Sequence, residues 1–182
     1  MNTRLVGTIC ILGALAVATE GVRVFLGRGD PDTLTYVLGL VGAMGTVCGV
    51  LGMRALRVAG SGRAGQWALN LMLAAEGGFG FIALLSLLTG RSLDPWPAVV
   101  GMVSVMAAIV VGVLALREKA WEGWRKFAPL ALPLALVLAI ALGIAGTPPL
   151  FLISVSAAWL VNGYAVQSSA AAAGLGTGTA TA

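Results

Sequence analysis

The sequence predicts an all-α membrane protein: a bundle of six transmembrane helices joined by short loops, with both termini cytoplasmic. Three observations carry that expectation. Of the 182 residues, 59% are hydrophobic and 10% charged, whereas a soluble domain is roughly half apolar and a quarter charged. The mean hydropathy is +0.98. The apolar residues fall into six long stretches, each at or near the roughly 20 residues that cross a bilayer. Apolar runs of this length cannot alternate as barrel strands do, so helices are the expected element.

The first span, 5–26, carries Glu20 and Arg23 in its last turns and is followed by the turn residues Gly27, Arg28, Gly29, Asp30, Pro31 and Asp32. Its start imitates a signal peptide, with Arg4 ahead of the apolar run and Ala16, Val17 and Ala18 as an A-x-A-like site. An uncleaved first anchor is the expected outcome. The second span, 33–53, ends at Arg54, and a connection rich in Gly, Ser and Arg leads to the third, 67–88. Gly90, Arg91, Asp94 and Pro95 separate it from the fourth, 96–116.

After a charged connection comes the fifth, 127–145. Pro129 suits a first helical turn there, but Pro133 should kink the helix. Gly146, Thr147, Pro148 and Pro149 turn the chain into the sixth span, 150–166. A shallower re-entrant hairpin competes for the last two stretches, against which 134–144 runs apolar without a break. Residues 167–182, rich in Ala, Gly and Thr, are expected to form a disordered cytoplasmic tail. A recurrence at an offset of 63 residues, Gly27-Arg28 with Gly90-Arg91, is accounted for by composition and topology.

Charge sets the orientation. Arg4, Arg54, Arg57, Arg63, Arg117, Lys119, Arg125 and Lys126 fall on one side, and Arg23, Arg28 and Arg91 on the other. The positive-inside rule puts the first group in the cytoplasm. Arg outnumbers Lys nine to two, a composition that suggests a GC-rich bacterial genome and hence a bacterial cytoplasmic membrane. The net charge of +4 is a topological signal. Nucleic acid is not an expected partner, because no basic groove interleaved with aromatics occurs. Trp121, Trp124, Arg125 and Lys126 read as an interfacial, lipid-facing belt with snorkelling cations. Anionic lipid or a partner gripping this surface is the competing reading.

With no His, the commonest general base, the usual haem ligands and most zinc sites are missing. No cofactor or metal is expected. Cys10 and Cys48 lack a C-x-x-C arrangement and read as small apolar fillers. Gly42, Gly45, Gly49 and Gly52 keep a strip of the second span free of side chains, which marks a helix-packing surface. Its neighbour is the first span, the third, or a second copy of the chain.

Glu76 lies nine residues beyond Trp67, hence about 13 Å into a hydrocarbon core about 30 Å thick. No Lys or Arg occupies the centre of a predicted span to pair with it. Loss of water favours the neutral acid there unless a cation binds. By depth, its expected hydrogen-bond partners are Thr46, Ser104 and Asn162. Glu76 is thus either a proton or cation site or an interhelical hydrogen bond. Asn162 and Tyr164 also read as interfacial anchors, and Glu20 with Arg23 as a local ion pair.

Two functions follow. The first is a small non-catalytic accessory or scaffolding component of a membrane assembly, partnered by lipid and by other membrane subunits or a second copy. The second is a small proton- or cation-coupled carrier or channel using Glu76. An enzyme is not expected, since neither paired acidic ligands nor an activated nucleophile is present.

Overall fold

Helices α1 (Thr3–Phe25), α2 (Thr33–Ala55), α3 (Arg63–Thr89) and α4 (Trp96–Glu118) are followed by a 3-10 helix (Gly123–Leu130), α5 (Ala131–Ile144) and α6 (Pro149–Leu175). This computed structural model describes residues 2–27, 32–93, 96–118, 121–144 and 149–175, among which no strand occurs. Arg28, Asp30, Asp94, Lys119 and the turn residues Gly146, Thr147 and Pro148 lie outside the described residues. Among the described residues, five helices, α1 to α4 and α6, are long and apolar enough to cross a membrane.

Local chemistry sets the helix starts. The Asn2 side chain accepts the Leu5 N–H at α1, and Asp32 and Thr35 form a reciprocal capping box at α2. At the far end of α3, Gly90 takes a left-handed φ of 63° and its N–H returns to the Ser86 carbonyl, a stop that glycine makes without steric cost.

The helices close into a ring. Each packs against the next, α6 returns to α1, and α2 also meets α6. The glycine strip of α2 makes this approach. A Cβ on Gly45 would stand 2.5 Å from the Gly13 Cα of α1, and one on Gly49 would stand 2.7 Å from Cys10 Sγ and 2.9 Å from the Trp159 ring. Gly42 similarly meets Val17, and Gly52 meets Val166 of α6. Small residues let backbones close in lipid, where no hydrophobic force drives helices together.

Large apolar side chains point outward instead. Leu12, Phe81, Leu88, Met102, Met106 and Leu134 are all exposed, an arrangement costly in water and natural in hydrocarbon. The buried core gathers towards the end of the bundle that carries Arg54, Arg57 and Arg117. Met53, Val58, Leu69, Met72, Val111 and Val166 are fully buried there.

Three expectations need correction. The fifth span is not one helix over 127–145: a 3-10 helix containing Pro129 leads into a 14-residue α5. The helix restarts at Ala131, so Pro133 falls in its first turn, where a missing N–H goes unused. Helix α6 continues through Leu175, so the start of the expected tail is helical; 176–182 lies outside the described residues. Trp121 is buried in the core rather than lipid-facing, because the chain folds inward as it enters the 3-10 helix. The other belt residues hold α6: Trp124 stacks on Tyr164 at 5.7 Å between ring centroids, and Arg125 donates to Ser168 at 3.0 Å. Lys126 lies over the Phe127 ring.

Candidate functional site

Three side chains meet where the close-packed half of the bundle ends. On α3, Glu76 follows the buried Leu69 and Met72 by about two turns and one turn respectively. On α2, Thr46 precedes Val50 and Met53 in the same way, and on α4, Ser104 precedes Ala108 and Val111. All three are buried. The Ser104 hydroxyl donates to Glu76 Oε1, and Thr46 is the carboxyl's other hydrogen-bonding neighbour. The Thr46 hydroxyl also lies 3.0 Å from the Ala43 carbonyl, to which it donates.

Beyond these residues the packing opens into a cavity of about 500 Å³, reached by side chains from all six α-helices. Glu76, Thr46, Ser104 and Trp159 border one end. Glu20, Thr35, Tyr36, Ser86 and Ser92 border the other. Between them the walls are apolar, with Phe79, Ile82, Phe151 and Val155. From Thr35 to Thr46 along α2 the cavity is about 16 Å deep. No Lys or Arg lines it among the described residues.

The outer rim is polar and tightly bonded. Arg23 pairs with Glu20 at 2.8 Å and with Asp32 at 2.7 Å, and the Thr35 hydroxyl donates to Glu20 at 2.9 Å. First the Thr35 backbone N–H and then the Arg23 guanidinium hold the Asp32 carboxyl below its ordinary range. Thus α1 and α2 are tied together at this end of the cavity.

The chain matches no family model, no curated protein and no solved structure. Its chemistry therefore has to be read from this geometry. Among the described residues, no three His, Cys, Asp or Glu side chains group as metal ligands. Both cysteines are free, and Cys10 is buried with its thiol directed at the Trp159 carbonyl.

Of the expected partners of Glu76, Thr46 and Ser104 join it and Asn162 does not. Asn162 is fully buried rather than interfacial. It donates to the Ala158 carbonyl at 2.9 Å, and its Oδ1 has no hydrogen-bond partner among the described residues. Tyr164, by contrast, is exposed. Asn70 faces away and takes a hydrogen bond from Arg54 at 2.9 Å.

Sequence reasoning missed two contributors. Glu20 reads as a local ion pair, yet its carboxyl also borders the cavity; the spacing of Val17, Glu20 and Val24 on one face of α1 was the available signal. Trp159 shares a face with Leu152 and Val155 on α6, but nothing in the sequence distinguishes an inward from a lipid-facing Trp.

Proposed function

We propose that this membrane protein is a small, non-enzymatic carrier that takes up a proton or cation within the bilayer, with Glu76 as its binding group. The observation that supports this is that Glu76, though buried and bonded to Ser104, is among the residues that line a cavity. An intramembrane carboxyl reaching open space can exchange what it binds, which a purely structural hydrogen bond does not require. The accessory reading drew on the poverty of polar residues and on the glycine strip of α2; that strip meets α1 and α6 of the same chain, so it does not itself call for another subunit.

Six crossings are inferred from α5 together with the 3-10 helix. Its contacts to Tyr164 and Ser168 put its start level with the later turns of α6, and α5 runs back to where α6 begins. The excess of Lys and Arg then sets both termini in the cytoplasm and the Glu20 rim outside, in a bacterial cytoplasmic membrane.

Reconstituted liposomes test the carrier. An imposed proton or monovalent-cation gradient should produce a flux that Glu76→Gln abolishes. Flux that is absent from the wild-type protein, or unchanged in the variant, overturns the reading.

A further inference from the structure

We infer that the cavity binds an organic cation with an apolar body, such as a substituted amine, whose charge sits at Glu76; this rests on Glu76 being the binding group. The volume alone narrows the ligand. About 500 Å³ lies in the range of pockets that hold drug-sized molecules, and is far more than one dehydrated metal ion or a proton needs.

Charge narrows it further. The carboxylic acids on the lining are Glu20 and Glu76, one towards each end, and no Lys or Arg is on the lining among the described residues. Glu20 is already paired with Arg23, whereas Glu76 has, among the described residues, the Ser104 and Thr46 hydroxyls. An anion is repelled by this arrangement, and a cation gains most at Glu76. The two hydroxyl oxygens lie at the same spot and can accept from an ammonium N–H or face a bare positive charge.

The walls complete the match. Apolar side chains cover an apolar body, and Tyr36, Phe79, Phe151 and Trp159 supply aromatic surface, which attracts organic cations through the ring quadrupole. A small hydrated inorganic ion would gain nothing from such walls and would lose its water.

Equilibrium dialysis of the full chain in detergent tests this with benzyltributylammonium and its uncharged carbon analogue. Saturable binding of the ammonium is expected, weaker by about tenfold or more for the analogue and for the Glu76→Gln protein. Gly39→Leu supplies a second variant should Glu76→Gln fail to fold. Gly39 lines the cavity, and a Cβ there meets only Ala83 at 3.7 Å, so the added side chain fills space without touching the acid. It should weaken ammonium binding to a similar degree. Equal affinity for ammonium and analogue, or full affinity in both variants, overturns the proposal. Glu76-dependent proton flux without ammonium binding would overturn this ligand class and leave the carrier standing. Ammonium binding without flux would keep the site and remove the carrier.

Discussion

A carboxyl at mid-depth in a bundle is held by whatever replaces its water, and around Glu76 the replacements are two hydroxyls. Ser104 donates to it, and the Thr46 hydroxyl lies beside it with the Ala43 carbonyl also in reach. A hydroxyl can both donate and accept, so a site built this way accommodates the neutral acid as well as an ion pair. Losing Ser104 by Ser104→Ala should cost stability of about 0.6 to 1 kcal/mol, the usual worth of an interhelical hydrogen bond in lipid, measured by unfolding in mixed micelles. Thr46→Val should leave stability within about 1 kcal/mol but slow Glu76-dependent flux, which separates its role from that of Ser104.

The rim behaves differently with pH. The Asp32 carboxyl is held below its ordinary range by Thr35 and Arg23, so its contribution is present above the usual carboxylate value, about 4, and is lost as pH falls through the depressed folded value. The Arg23–Asp32 tie should therefore persist from pH 5 to 9, about the whole range a flux assay uses. Asp32→Asn should leave the shape of a flux profile over that range unchanged.

At the level of helices, glycine position decides what a substitution does. Gly45→Ala places a methyl 2.5 Å from the Gly13 Cα, against backbone that cannot rotate away, and should destabilise the bundle by about 1 to 3 kcal/mol. Gly77→Ala, with nothing within 4 Å of the added atom, should be neutral or stabilising by up to about 1 kcal/mol. Thermal unfolding of the two variants side by side checks both.

The same contrast explains what could be read in advance. Among the described residues, five helices long and apolar enough to cross a membrane and the Gly42 to Gly52 packing strip were legible, because apolar length and side-chain absence are properties of one segment. The meeting of Glu76 with Thr46 and Ser104 was legible from depth alone. Asn162 shares that depth roughly but faces elsewhere, and helix rotation is set by partners that a single segment does not reveal. The break before α5 was missed for a related reason. Pro129 and Pro133 permit either a kink or a restart, and which one occurs depends on how the 121–130 segment packs beneath α4 and α6. Trp121 turned inward through that same packing.

The ring as a whole makes a prediction about sidedness, which depends on how many times the chain crosses. With six crossings, Ser61 between α2 and α3 and Ser169 near the end of α6 share the basic side, and Thr89 at the end of α3 lies opposite. If α5 and the 3-10 helix together failed to cross, Ser61 would keep its side and Ser169 would move to that of Thr89. Single cysteines at these positions, in a background of Cys10→Ala and Cys48→Ala, can be probed in whole cells with a membrane-impermeant maleimide. Thr89→Cys should label, whereas Ser61→Cys and Ser169→Cys should label only after the membrane is opened. Labelling of Ser169→Cys in intact cells would reduce the bundle to five crossings. It would also set Tyr164 and Ser168 on the side opposite Trp124 and Arg125, which follow α4 on the basic side, and so contradict both contacts.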